Sequence, residues 1–320
     1  MSRTRSRCGW RSRQDIPREP GPQPVRVALT EPGIGRRRAP LSYTARVSFV
    51  VPTSLSPSRV DAFTSCPMAF RFASIEKLPE PPSVAATKGS MVHRALEVLF
   101  TLQPHDRVGD AVVRSFRHAV HEYEADPEFT LLGLDDAAAE AFVADAWTLM
   151  ESYLLMEDPT QIRDIGLELR LEAKVGDLTL RGIIDRLELG PEGELIVTDY
   201  KTGRAPGLKY EQSKLGGVHF YSFLCESVLG RRPAAIRLMY LRSGETITAI
   251  PSEQSVKFIT TRTTAVWKAV ERACTTEDFR PRQGPLCKVC SFQQWCPAFG
   301  GDPESAKLEA PVAFGRLAVA

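Results

Sequence analysis

The chain is expected to fold as an α+β protein. A central mixed β-sheet would be flanked by helices, entered through an N-terminal helical half and closed by a cysteine-bearing C-terminal segment. Three features lead to this expectation. Helical periodicity fills most of the stretch from 56 to 157. A period of two takes over between 167 and 201. Helical and strand patterns then alternate up to a group of cysteines near residue 290.

At 320 residues, 43% hydrophobic and 25% charged, the composition is that of an ordinary soluble globular protein. No apolar run approaches the roughly 18–20 residues needed to cross a membrane. No charged start followed by an apolar core marks export, and Arg36-Arg37-Arg38 has no hydrophobic stretch behind it. Seven cysteines without an export signal point to a reducing, cytoplasmic setting, where clustered Cys bind metal more often than they pair as disulfides. The net charge of +2 is uneven. Residues 1–38 hold ten Arg and no Lys against Asp15, Glu19 and Glu31, so the rest of the chain is mildly acidic. Any grip on nucleic acid there must come from a local groove.

Residues 1–45, rich in Arg, Pro and Gly, read as a disordered tail; a DNA-binding arm is one use for it. The folded domain is expected over 46–300, with 301–320 a C-terminal tail. Ser56-Pro57 suits an N-cap and first helical turn, opening a helix that ends at Cys66-Pro67. Further helices are expected over about 87–102, 108–125 and 135–157. Leu167, Leu169 and Leu171 alternate with Glu168, Arg170 and Glu172, as in a half-buried strand. Segments 177–189 and 194–201 read as two more strands, joined at Pro191-Glu192-Gly193 by a three-residue hairpin loop. A helix over about 209–229, strands near 234–242 and 245–250, and a helix over 253–274 complete the layout.

The hairpin brings chemistry with it. With that loop Gly190 faces Glu194, which sets Asp185 opposite Asp199, and Lys201 shares the face of Asp199. Ile183, Leu187, Leu195 and Val197 lie on the same face, so the charges rise from an apolar surface. Two carboxylates and an ammonium converging there are unfavourable unless a cation or a reaction uses them. The competing reading is a solvated ion pair between Lys201 and an aspartate.

A second constellation is Cys287-x-x-Cys290-x₅-Cys296, one ligand short of four, with Cys66 the candidate to complete it. Cys66 and Cys296 are each followed by Pro, as the last Cys of bacterial-type cluster motifs often is. By spacing alone, a four-cysteine zinc site and an iron–sulphur cluster are equal readings. Cys8, Cys225 and Cys274 read as tail or core cysteines.

GIIDRLEL followed by IVTDYKTG resembles the active-site hairpin of the PD-(D/E)XK nuclease superfamily, in its RecB-type exonuclease branch. KGSMVHRALE resembles that branch's G-x-x-x-H motif, carried by Gly89 and His93, and LELRLE resembles the strand before the hairpin, with Glu168 at an acidic position. The resemblance implies that His93, Asp185 and Asp199 ligate Mg²⁺ or Mn²⁺ with help from the Tyr200 carbonyl, and that Lys201 serves the attacking water and the phosphate. Glu168 would join the catalytic group, although a solvated strand face explains it equally. The helix after the lysine departs from the pattern: Tyr221 is present, but Gly217 stands where Gln is usual. One Cys before G-x-x-x-H and C-x-x-C-x₅-C after the last helix resemble the iron–sulphur members, implying a [4Fe–4S] cluster on Cys66, Cys287, Cys290 and Cys296. The implied activity is hydrolysis of DNA, on single strands or ends, in repair or recombination. Arg94, Arg204, Lys209 and Lys214 are candidate phosphate contacts. No G-x-x-x-x-G-K-[ST] loop is present, so a helicase motor would be a separate partner. The alternative is a DNA-binding or scaffolding subunit that kept the metal staple and lost turnover.

Overall fold

The computed structural model describes residues 49–314, without the side chains of 208–216. The Arg-rich tail expected over 1–45, Cys8 and the side chains of Lys209 and Lys214 therefore lie outside the described residues.

Strand β1 (Ser54–Leu55) leads into α1 (Pro57–Ser65). Ser56 caps α1, its Oγ accepting from the Arg59 amide at 3.3 Å, and proline fixes the first turn. Cys66 breaks the helical path with extended dihedrals before α2 (Pro67–Phe70), which runs into a wide helical turn over Arg71–Ile75. The helical half follows as α3 (Val84–Phe100), α4 (Asp110–Glu124), the short α5 (Pro127–Thr130) and α6 (Asp136–Met156). Next come β2 (Arg163–Val175), β3 (Leu178–Leu189) and β4 (Leu195–Lys201). α7 (Leu208–Leu229), β5 (Ala235–Tyr240), β6 (Glu245–Ala249) and α8 (Glu253–Thr276) complete the main layers. Short 3₁₀ turns carry the C-terminal cysteines.

Residues 301–320, expected as a tail, instead contain α9 (Ala306–Phe314). Ala306 and Ala310, one turn apart, are fully buried, and Trp295 Nε1 donates to Glu309 at 2.8 Å. Small residues let this helix lie close against the cysteine segment despite Pro311 inside it.

β3 is the spine of the six-stranded mixed sheet. Antiparallel β2 runs along one edge of it. The other edge is shared: β1 pairs parallel at Thr179 and Leu180, while β4 pairs antiparallel from Leu189↔Leu195 to Arg186↔Thr198. Along its other edge β4 pairs parallel with β5, from Ile196↔Ala235 to Lys201↔Tyr240, and so runs on past its last pair with β3. The sheet thus forks between β3 and β4, and the fork begins where Asp185 and Asp199 stand.

Two cores cover the two faces. Leu187, Leu195, Val197 and Leu238 pack with α7, α8 and the C-terminal segment. Tyr200 and Met239 pack on the other side with α3, α4 and α6. Cys225 and Cys274 are fully buried in the first core, as their lack of company in the sequence suggests. Among the described residues no helix is long and apolar enough to cross a membrane.

Candidate active site

The hairpin supplies the first carboxylate. All four observed β3–β4 pairs follow the register expected from the three-residue loop, which ends at Gly193 with φ 79°. At the next position the ladder gives way to a side chain: the Tyr200 amide donates to Asp185 Oδ2 at 2.7 Å. Burial drives the Asp185 pKa up, the facing Asp199 charge adds to that, and the result is about 7 despite the Tyr200 hydrogen bond.

β2 supplies the second. Its register against β3 would set Glu168 opposite Asp185, between the observed pairs Leu167↔Arg186 and Leu169↔Ile184. Glu168 has φ 43°, a left-handed backbone that disfavours residues with a Cβ. The strained residue reverses the strand's alternation: Leu167 packs with the helical core, whereas Leu169 and Leu171 pack with the opposite one. The simple period of two expected for 167–172 is interrupted at this point. Burial, then the Asp185 charge, raises the Glu168 pKa.

Helix α3 supplies the imidazole. Gly89 allows its approach, since a Cβ there would lie 3.0 Å from Thr202 Oγ1 just past β4. One turn on, His93 Nε2 lies 3.0 Å from the Tyr200 carbonyl oxygen and Nδ1 lies 3.5 Å from Asp185 Oδ2. Burial lowers its pKa against the pull of Asp199 and Glu168, which favours the uncharged ring that a metal ligand must be. Ligand atoms of His93, Glu168 and Asp185 all fall within 4.8 Å of one another. Carboxylate oxygens with an imidazole suit a small hard dication.

Asp199 stands beside this tight group, not within it. It is 3% exposed; Tyr221 Oη donates to its Oδ1 at 3.1 Å, and Lys201 Nζ pairs with Oδ2. α7 brings Tyr221 there because Gly182 on β3 leaves room: a Cβ at 182 would meet Leu224 at 2.8 Å. Burial works against the Lys201 ammonium, but Asp199 outweighs it and the pKa rises, keeping the charge. Arg94, a candidate phosphate contact, is committed to Glu122 and Glu97 at 2.7 and 2.8 Å. Arg204 is exposed on the wall of the cleft that holds His93 and Lys201.

Beneath the metal group lies a cluster that motif reading missed. Arg186, next to Asp185, is 0% exposed. It holds Glu157 through both terminal nitrogens and Glu188 at 2.7 Å, donates to Tyr200 Oη at 2.6 Å, and stacks on Phe100. Tyr200 thus has its ring anchored below while its amide and carbonyl meet Asp185 and His93. The signal in the sequence was an Arg and a Glu on a strand face otherwise destined for burial.

The comparison with known proteins decides the family. Residues 54–297 match the PD-(D/E)XK nuclease superfamily. The chain belongs to it. The Gene 69 protein of Mycobacterium phage D29 is 23% identical to this nuclease-superfamily chain over 270 residues, covering 76% of it and 96% of the phage protein. Among solved structures, one named as a candidate exonuclease from Eubacterium rectale is similar over 80% of this chain and 93% of its own, at 10% identity and a TM-score of 0.49. Another, named SSO0001, is similar over 77% and 86% at 16% identity and a TM-score of 0.37.

Cys66, Cys287, Cys290 and Cys296 line one cavity of the nuclease domain, walled by Met68, Phe72 and Phe292. Backbone amides point at the sulphurs: Arg282 N lies 3.4 Å from Cys66 Sγ and Gly284 N 3.3 Å from Cys287 Sγ. Burial, then the neighbouring thiols, raises the Cys290 pKa; burial comes first at Cys296 too, and both receive backbone hydrogen bonds. The amide donors suit thiolates, the form in which cysteines bind metal.

Proposed function

We propose that the protein is a Mg²⁺- or Mn²⁺-dependent deoxyribonuclease of the RecB-like exonuclease type, cutting single strands or ends in DNA repair or recombination. The observation that carries this reading is the convergence of His93, Glu168 and Asp185 on one point, with the paired Asp199 and Lys201 beside it. His93, Asp185 and the Tyr200 carbonyl are the proposed ligands; Glu168 falls in the same group, and Asp199, expected as a ligand, stands beside it paired with Lys201. When bound, a divalent cation would polarise the scissile phosphate and lower the pKa of a water. The chain's own residues do the rest. His93, its charged form disfavoured by burial, would present a ring nitrogen, and the Tyr200 amide orients Asp185. Burial raises the pKa of Asp185 and of Glu168, so a bound cation would compete with protons for these carboxylates. Asp199, fixed by Tyr221, keeps Lys201 charged where negative charge grows on the phosphate. A separate helicase would supply the single strand.

End-labelled single- and double-stranded DNA, incubated with Mg²⁺, Mn²⁺ or EDTA, tests the reading. Metal-dependent cleavage that Asp185→Asn abolishes is expected; protein that cuts neither substrate in either metal would overturn it.

The cysteine site is proposed to hold a [4Fe–4S] cluster on Cys66, Cys287, Cys290 and Cys296; the cavity that all four line and its amide donors support a thiolate-bound group there. The cluster's contribution is mechanical, tying α1 and α2 to the C-terminal segment. Iron and acid-labile sulphide should each approach four per chain, and zinc without either would refute the cluster.

A further inference from the structure

Lys201 has a cleft on each side. The first holds His93, Glu168 and Tyr200. The second runs along β2 and β3 towards the start of α1 and has as yet no role; its walls include Ser58, Arg181, Asp199 and Tyr221. Arg170, Lys201 and Tyr240 line both, so the clefts meet along a seam of two cations and a tyrosine.

The charges of the second cleft are mostly answered within the protein. Asp199 is taken by Lys201, Glu172 faces Arg181 at 3.5 Å, and Asp61 faces Arg262 at 3.7 Å. Arg170 is the exception. Its side chain is exposed at the seam, two residues after Glu168, whose charge it feels at longer range, and makes no hydrogen bond or close ion pair among the described residues. At the far end α1 starts with Ser56 and Ser58, their hydroxyls 3.0 Å apart, and no acidic residue occupies its first turn. The wall is also open at Gly217, where a Cβ would meet nothing within 4 Å. A glutamine at that position would occupy this space.

We propose that the substrate strand continues past Lys201 into this second cleft, where Arg170 grips the phosphate next to the one that is cut and the start of α1 faces the strand beyond. This rests on the nuclease reading and adds the path of the strand. The ligand is a phosphodiester backbone held by charge, so binding here is indifferent to base sequence and weakens with salt. Arg170 is a binding residue: its loss acts on affinity for DNA and leaves the metal group filled.

The experiment measures anisotropy of a fluorescein-labelled oligothymidylate against salt, with Ca²⁺ replacing Mg²⁺ to slow cleavage, alongside steady-state cleavage in Mg²⁺. Arg170→Gln is expected to weaken binding about tenfold and to lower the slope of log affinity against log salt by about one. KM should rise with kcat and the Mg²⁺ requirement little changed. Ser58→Glu is the variant safe for folding, since an acidic residue in the first turn favours a helix, yet it repels phosphate at the cleft mouth and should also weaken binding. Arg114→Gln, exposed on α4, serves as the unaffected control. If wild-type protein binds and cuts while Arg170→Gln and Ser58→Glu match it in affinity and slope, the strand does not use this cleft. If wild-type protein neither binds nor cuts, the nuclease reading falls and this path falls with it.

Discussion

Asp185 sets how the site answers to pH. Burial and the facing Asp199 raise its folded pKa to about 7, while in the unfolded chain it titrates near 3.9. Between these values the folded state holds the proton more tightly, so without metal, stability is highest at the acid end and falls as pH rises through that window. A divalent cation must displace the same proton, so its affinity should climb as pH approaches 7 and level off above it, up to about tenfold per pH unit for each proton released. Calorimetric Mg²⁺ titrations at pH 5.5, 6.5 and 7.5 read this directly; a flat profile would mean that Asp185 is already ionised at acid pH. Asp185→Asn keeps an oxygen for the Tyr200 amide and has no proton to lose. The metal-free variant should therefore melt higher than wild type at pH 8 while binding no Mg²⁺. Lys201→Met tests the neighbouring cation. Cleavage should fall about a hundred- to a thousand-fold with the Mg²⁺ concentration for half-maximal rate nearly unchanged. Equal loss in both would place Lys201 among the groups that hold the metal. Asp185, Asp199, Lys201 and His93 were legible in the sequence because each sits in a short motif on a regular element. The face of Glu168 was not, because a single positive φ of 43° reverses the strand's alternation and no local pattern announces it.

Among the secondary-structure elements, the fork between β3 and β4 does most to make the site. The hairpin register was readable because loop length alone fixes which residues pair. What the hairpin could not reveal is where pairing stops: that depends on β1 and β4 sharing one edge of β3, a contact between segments more than a hundred residues apart. Arg186 holds the paired side of the fork. Its guanidinium joins Glu157 from beyond α6, Glu188 from β3 and Tyr200 from β4, three elements that no single motif spans. Removing one partner of a buried ion group leaves the others uncompensated, so Arg186→Met should destabilise the fold by about 3–5 kcal/mol in urea unfolding. Tyr200→Phe, which removes one hydrogen bond to the charge, should lose about 1.5–3 kcal/mol. The conservative variant has the second readout: its Mg²⁺ affinity should fall as well, because the Tyr200 peptide meets both His93 and Asp185. Unchanged metal affinity in Tyr200→Phe would make the cluster a support for the fold alone.

Across the whole molecule, the N- and C-terminal portions of the domain meet at the four cysteines. Arg282 N reaches Cys66 Sγ across 216 residues, and Arg282 also donates to the Thr64 carbonyl. Leu286 and Val289 beside Cys287 and Cys290 are 65% and 79% exposed, whereas Phe292 and Trp295 further along are buried. The proposed cluster would therefore contribute most at the first of these turns, and a link between such distant positions removes much freedom from the unfolded chain. The cysteine segment is in turn the platform for α9, through Trp295 and Glu309. Cys290→Ser should thus lower the melting temperature by several degrees and expose both α9 and α1 to proteolysis, with the sheet and its metal group intact. Hydrogen exchange in this variant should quicken over 57–75 and 285–314 before it quickens in β3 or β4. Uniform loss of protection would place the cluster at the heart of the nuclease fold, and an unchanged melting temperature would deny it any stapling role. The expected gradient follows from geometry: Asp185 and His93 are held by the fork and α3, whereas α9 rests on the cysteine segment through Trp295 and Glu309.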